Sequence, residues 1–456
     1  MINFYDEVLK HKDELLKDLK TLCRIPSVLD KSTAKDQMPF GQGNRDVLNA
    51  MLAIGQRDGF VTDDVDGYAG AIDMGEGEHV FGILGHLDVV PVNKTGWNYP
   101  QFDCTLDGDR LYGRGVADDK GPLMAAYYAA KIVNAMDFPK KYKIRVIFGC
   151  DEENGSSCVD YYFKHRPYPD MGFTPDADFP VVYGEKAISQ YKITGDVEQH
   201  NIIGIYSGDR FNVVPSYAEA YLKGNVSDYE ESFKAFLEET HLKGMIGKEG
   251  NAVKLSLNGR SAHGSMPEKG LNAVTYLCHY LNSVTKNEVV SFVDEYFFDD
   301  TKGEALGIAH KGVLGPLTVN LGILNYKEGH LQLCLDIRYS SELTHDALAA
   351  MIEDKIKPLN LKLSRNDTDS LYVDPNSELV QTLHNAYVEY TGDHEHGPQV
   401  IGGGTYAKEM PNCVAFGAEF PGRDNHMHED NENILLDELL KSCAIYAKSL
   451  YDIMQK

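Results

Sequence analysis

The chain has 456 residues, 43% of them hydrophobic and 10% aromatic, which is enough apolar side chain for more than one buried core and excludes a disordered polymer. Its 69 Asp and Glu outnumber 44 Lys and Arg, and the formal net charge of -25 argues against nucleic acid or an anionic membrane surface as a partner. No apolar run approaches membrane-spanning length, the charged N-terminus carries no signal-peptide core, and the 8 scattered cysteines form no C-x-x-C pair, so a reducing cytoplasm is expected.

In chain order, "FYDEVLKHKDELLKDLKTLC" has helical spacing from about Phe4 to Cys23. "HVFGILGHLDVVP" then predicts a buried strand running into a loop, with His86 and Asp88 two apart and therefore on one face of an extended segment. "GPLMAAYYAAKIVNAM" predicts a helix with Pro122 in its first turn and Leu123, Tyr127, Ala130 and Val133 on one stripe. "KYKIRVIFGC" predicts a second buried strand, ending in "DEENGSS". Strand, helix and strand at this spacing form a crossover unit, so a largely parallel sheet is expected, with ligands collecting at the carboxyl ends of its strands.

From about residue 187 the pattern changes. "AISQYKITGD", "NAVKLSLNGR" and "HLQLCLDIRYS" alternate as half-exposed antiparallel strands do, with helical stretches such as "LNAVTYLCHYLNSV" between them. The α/β pattern resumes after "DPNSELVQTLHNAYVEYTG" and closes with a helix over "LLDELLKSCAIYAKSLYDIM". The expected fold class is α/β: a mainly parallel-sheet catalytic domain with helices on both faces, built from residues 1–186 and 377–456, and an inserted α+β lid domain over residues 187–376.

Acids and imidazoles cluster in the first domain and its C-terminal return, three of the clusters just after buried β-runs: His86 with Asp88, Asp118 with Asp119, Asp151 with Glu152 and Glu153, and Asp176 with Asp178; "RDNHMHEDNE" adds His426 and His428 near the end. Packing carboxylates together is costly unless a cation offsets them. Imidazole and carboxylate without paired cysteines form the donor set of catalytic zinc, manganese or cobalt rather than of structural zinc.

The segments "GHLDVVP", "GRGVADDKG", "DEENGS", "SAHGSMPEKG" and "MHEDNE" resemble the co-catalytic metallopeptidases that include aminoacylase, glutamate carboxypeptidase and carnosinase. "TPDADFPVVYGEKA", "DRFNVVPSYAEA" and "IGGGTYAKEMPN" are most like PepV-type dipeptidases, and the resemblance covers nearly the whole chain in order. It implies two divalent metal ions per chain, zinc first, with manganese or cobalt as alternatives. His86, Asp118 and Asp176 would hold one ion, and Asp118, Glu153 and His428 the other, with Asp118 bridging and a cis peptide joining it to Asp119. Asp176 is preferred over Asp178, and His428 over His426, on the family pattern. Asp88 would accept a hydrogen bond from His86 and fix its tautomer.

Glu152 would be the general base. In the lid, His263 and Asn212 would polarise the scissile carbonyl and Arg338 would take the substrate carboxylate as a fork. Asp119 beside Glu152 would meet the free amine, and the backbone at Gly403, within Gly402–Gly404, would approach a carboxylate. The implied activity is hydrolysis of unblocked dipeptides by a cytoplasmic monomer, its doubled lid supplying contacts within one chain. An N-acyl-amino-acid deacylase of the same family, or a metal-binding protein without turnover, are the competing readings.

Overall fold

The computed structural model describes residues 2–456 and divides them into two units, one running to Gly184 and resuming over Tyr372–Lys456, the other spanning Glu185–Leu371. The first unit is organised around a nine-stranded sheet. At its centre the strands Tyr142–Gly149, His79–His86, Met171–Thr174 and Cys413–Ala415 lie side by side and parallel. Ala69–Met74 and Val61–Val65 extend the sheet antiparallel at one edge, so the sheet is mixed and its middle is the parallel part. Parallel strands buried on both faces need near-continuous apolar runs. Phe81, Ile83, Leu84, Val146, Ile147, Phe148 and Phe173 supply them.

Helices Phe4–Cys23, Lys120–Ala135 and Leu436–Gln455 pack on one another, and Lys120–Ala135 also lies on the His79–His86 strand. Gln42–Arg57 and Ser157–His165 pack against Ala69–Met74. The single stripe predicted for the Lys120 helix understates its burial: every residue from Lys120 to Ala130 is buried, so this helix is interior on all sides. Lys120 itself donates from Nζ to the carbonyls of Leu22 and Ile25 at 3.2 and 3.1 Å, placing a cation at the C-terminal end of the first helix. All 8 cysteines are buried free thiols.

The second unit carries an eight-stranded antiparallel sheet, in the order Lys243–Glu249, Ala252–Asn258, Tyr217–Leu222, Ile202–Ser207, Thr318–Lys327, His330–Tyr339, Ala187–Asp196, Lys362–Thr368. Ala187–Asp196 begins with the alternation of a strand buried on one face, and Tyr191 and Ile193 enter a core shared with Leu255, Leu277, Val293 and Leu335. Helices Ala273–Val284 and Glu288–Phe297 bring Val274, Leu281, Val290 and Phe292 to that core.

At the antiparallel edge of the first sheet, Asp73 stands opposite Arg145, which grips it with two bonds of 2.7 and 2.8 Å, and Lys143 adds a third at 3.1 Å. Burial alone would raise the Asp73 pKa, but the two cations outweigh it and hold the carboxyl below its ordinary value. A depressed pKa gives stability that is present above the unfolded value and lost as pH falls through the folded one. Asp73→Asn is expected to lower unfolding free energy at pH 7 by about 1.5–3 kcal/mol. Denaturant titrations should show the gap from wild type closing as pH falls below about 4; a gap independent of pH would contradict this assignment.

Candidate metal centre

Each central strand delivers its site residue at the same edge of the sheet. His86 ends its strand in register with Gly149, and Ile83 is in register with Phe173. The loops that follow therefore leave side by side, one carrying Asp88, one Glu152 and Glu153, one Asp176. Asp118 precedes the buried helix Lys120–Ala135, and His428 comes from the loop before Asn433–Leu435.

Asp118 is the hub. Its Oδ1 lies 3.0 Å from His86 Nε2, and its Oδ2 lies 2.8 Å from His428 Nε2. Asp176 approaches the same His86 nitrogen at 3.7 Å, and Glu153 the same His428 nitrogen at 3.1 Å. One carboxylate thus faces two imidazoles, each with a further acid beside it. The peptide between Asp118 and Asp119 is cis. Ligand atoms of His86, Asp118 and Glu153, and separately of His86, Glu152 and Asp176, lie within 4.8 Å of one another.

The charges respond to this crowding. Burial, then the neighbouring carboxylates, raise Glu152 well above the ordinary carboxylate range and Asp176 to about 7. Burial opposes a charge on His86, but Asp118, Asp88 and Asp176 outweigh it and raise the imidazole well above its usual value. Bonds to Asp118 and Glu153 raise His428 to about 10. On Asp118 burial is outweighed by the two histidines, which hold its carboxyl below the usual range. Four carboxylates and two imidazoles brought together in this way offer the oxygen and nitrogen donors that divalent zinc, manganese or cobalt takes. The donor set fits such ions.

The structure separates the two ambiguous pairs. Asp178 is exposed on the short strand Ala177–Asp178, whereas Asp176 reaches His86. His426 pairs with Glu429 at 3.3 Å in solvent, whereas His428, itself 56% exposed, reaches Asp118 and Glu153.

Two expectations change. Asp88 does not orient His86 chiefly through its carboxylate: Nδ1 sits 3.0 Å from the Asp88 backbone carbonyl and 3.6 Å from a carboxylate oxygen. The carboxylate is occupied, accepting the backbone N–H groups of Glu152 and Glu153 at 3.1 Å each, so Asp88 fixes the loop bearing the base. The carbonyl still favours the tautomer with hydrogen on Nδ1, leaving Nε2 toward Asp118. Asp119, expected to meet a substrate amine, is 0% exposed, and its Oδ2 accepts the backbone N–H of His86 at 3.1 Å. A Cβ on Gly85 would come within 2.5 Å of that oxygen, so the glycine is what lets Asp119 lie behind His86. Asp151 is likewise structural, accepting the Ser157 hydroxyl.

A cavity of about 310 Å³ is lined by Asp118, Glu152, Glu153, Asp176 and His428, with Gly404, Thr405, Glu419 and Asn425 among its other walls. This is at the small end of sites for small molecules. Gly403 adjoins this wall, and a Cβ there would meet only Ile401 at 3.6 Å, so packing does not require a glycine.

In the second unit, Gly264 N–H donates to the Asn212 carbonyl at 2.7 Å and Val213 pairs with His263, so the segments bearing Asn212 and His263 are joined. His263 has its Nδ1 2.7 Å from the Ser265 hydroxyl; although the residue as a whole is exposed, partial desolvation of its ring, then the Arg338 charge, lower its pKa. Arg338 is buried and held by Asp336, at 2.7 Å from Nε and 3.2 Å from Nη2.

Sequence reasoning gave no role to Glu432, the last residue of the "MHEDNE" segment. It is fully buried, and its Oε1 accepts the backbone N–H groups of Gly115 and Ala117 at 2.9 Å and of Asp118 at 3.2 Å. Its Oε2 pairs with the buried Arg114 at 2.6 Å. Burial and the Asp118 charge raise its pKa to about 7, against the pull of Arg114 and the N–H groups. Glu432 therefore clamps the loop that aims Asp118. Glu432→Gln keeps an acceptor oxygen but leaves Arg114 uncompensated, and should cost about 3–5 kcal/mol of stability. Zinc affinity, followed by calorimetric titration of the folded variant, should fall roughly 10–100-fold; unchanged affinity would remove Glu432 from the support of the site.

The parallel-centred sheet and the histidine–carboxylate hub define a metallopeptidase, and the family model for peptidase family M20/M25/M40 matches residues 82–452: the chain belongs to that family. More particularly, it is 38% identical to "Putative dipeptidase" of Staphylococcus epidermidis, over 98% of each chain. It is 37% identical to "Putative dipeptidase YtjP" of Bacillus subtilis, over 99% of this chain and 100% of that one. Among solved structures, the dipeptidase Dug1p of Saccharomyces cerevisiae shares the fold with a TM-score of 0.58 at 14% identity, covering 100% of this chain and 98% of that one. No helix among the described residues is long and apolar enough to cross a membrane.

Proposed function

We propose that the chain is a dinuclear metal-dependent dipeptidase that hydrolyses unblocked dipeptides. The observation that carries this reading is Asp118 set between His86 and His428 with Glu152 in the same cavity. His86, Asp118 and Asp176 would hold one ion and Asp118, Glu153 and His428 the other, zinc being the first choice and manganese or cobalt the alternatives. When bound, such ions lower the pKa of a water molecule and polarise a carbonyl oxygen.

Glu152 is the proton carrier. It adjoins Glu153 and lies close to His86 and Asp176 but is in neither assigned ligand set, so its carboxylate can take a proton from the attacking water and pass it to the leaving amine. The Asp88 carboxylate, bonded to the N–H groups of both glutamates, keeps that carboxylate in place. From the second unit, Arg338 is assigned to the substrate carboxylate, His263 and Asn212 to the carbonyl oxygen; Asp336, bonded to Nε and Nη2, sets the plane in which Arg338 presents its guanidinium. The Gly403 backbone is assigned to the substrate near the Thr405 wall. Asp119 supports His86 and does not touch substrate. We further assign the protein to the cytoplasm, which its 8 free thiols support, and to a monomer, which the eight-stranded inserted unit supports.

Glu152→Gln should retain both ions by elemental analysis and lose turnover of dipeptides by about 10²–10⁴-fold. Wild-type turnover in the variant at full metal occupancy would exclude Glu152 as the base.

A further inference from the structure

Glu419 is a cavity-wall carboxylate that neither the metal ligands nor the base account for. It ends the short strand Ala418–Glu419, which pairs with Ala177–Asp178, so the sheet fixes it on the wall facing the metal cluster's cavity. It is half-buried; its backbone carbonyl accepts the Phe179 N–H at 2.7 Å, and its carboxylate accepts the Asn425 N–H at 3.4 Å. Among the described residues no Lys, Arg or His nitrogen forms an ion pair with it. Arg423, four residues on, is committed to Glu438 at 2.6 Å. Asp178, Asp424 and Glu438 add negative charge around it.

Burial first, then those acids, raise its pKa to about 7. It belongs to neither assigned ligand set, and its carboxylate is not one of the described side chains grouped closely enough to hold an ion.

We infer that Glu419 receives an ammonium group of the substrate and so sets which dipeptides are accepted. This rests on the dipeptidase reading and takes over the place first expected of Asp119, which is buried behind His86. A carboxylate on the wall of a partly water-excluded cavity, without a cation of its own, is paired when an ammonium enters and is left desolvated when a neutral group enters. The ammonium is either the free α-amine or the side chain of a basic first residue, and one comparison separates them.

With the metal-loaded protein, kcat/KM is measured for Ala-Ala against its desamino analogue propionyl-Ala, and for Lys-Ala against norleucyl-Ala, in wild type and in Glu419→Gln. Glu419→Leu serves as an independent second variant. The preference for the ammonium-bearing member of a pair should fall roughly 10–100-fold in both variants. A fall in the first ratio assigns the α-amine; a fall confined to the second assigns the basic side chain. Both ratios unchanged, whether or not overall activity drops, would overturn the inference. Wild-type protein that cleaves none of these peptides with metal present would overturn the dipeptidase reading itself.

Discussion

The placement of one carboxylate between two imidazoles governs the rest of the first unit. Asp118 presents Oδ1 to His86 and Oδ2 to His428, and each pair draws in another acid, Asp176 on one side and Glu153 on the other. Such crowding is unfavourable among like charges, and it persists because the surrounding backbone over-determines it. Glu432 ties three N–H groups of the Asp118 loop, Asp88 ties the N–H groups of Glu152 and Glu153, and Asp119 ties that of His86. Three carboxylates thus serve the backbone so that the others can serve a cation.

The sheet makes this economical. Parallel strands end at a common edge, so an acid or histidine placed just past an apolar run arrives beside its counterpart from the neighbouring strand. His86 follows Gly85, Glu152 follows Gly149 by three residues, and Asp176 follows Thr174 by two. The antiparallel strands, by contrast, stand at the flank of this arrangement, where Asp73 and Arg145 form a charge pair with no part in the site.

His86, Glu152, Glu153 and Asp176 were legible because each has a local signature, an apolar β-run that stops at a polar residue, whereas Asp118 and His428 sit in loops and were legible only through the family motifs. Side-chain direction has no such signature. Nothing in "VADDKG" distinguishes Asp118, which faces the cavity, from Asp119, which turns to the backbone of His86 through a space that Gly85 leaves open. Likewise, the resemblance implies a bond from His86 to Asp88, but the loop after Gly149 takes the Asp88 carboxylate and leaves the carbonyl for His86. Glu432 lies in a loop rich in acids, where sequence alone reads solvated surface, and Glu419 ends a two-residue strand too short to read from sequence; long-range packing buries one and sets the other on a cavity wall. The helix Lys120–Ala135 was found, but its all-round burial follows from helices Phe4–Cys23 and Leu436–Gln455 packing on it, from opposite ends of the chain.

The most direct test is a zinc titration of metal-stripped protein with elemental analysis at saturation, run on wild type and on Asp118→Ala. A bridging Asp118 requires two ions per wild-type chain and weakened binding of both in the variant. Two ions in which Asp118→Ala affects only one, or a single ion in the wild type, would contradict the shared hub.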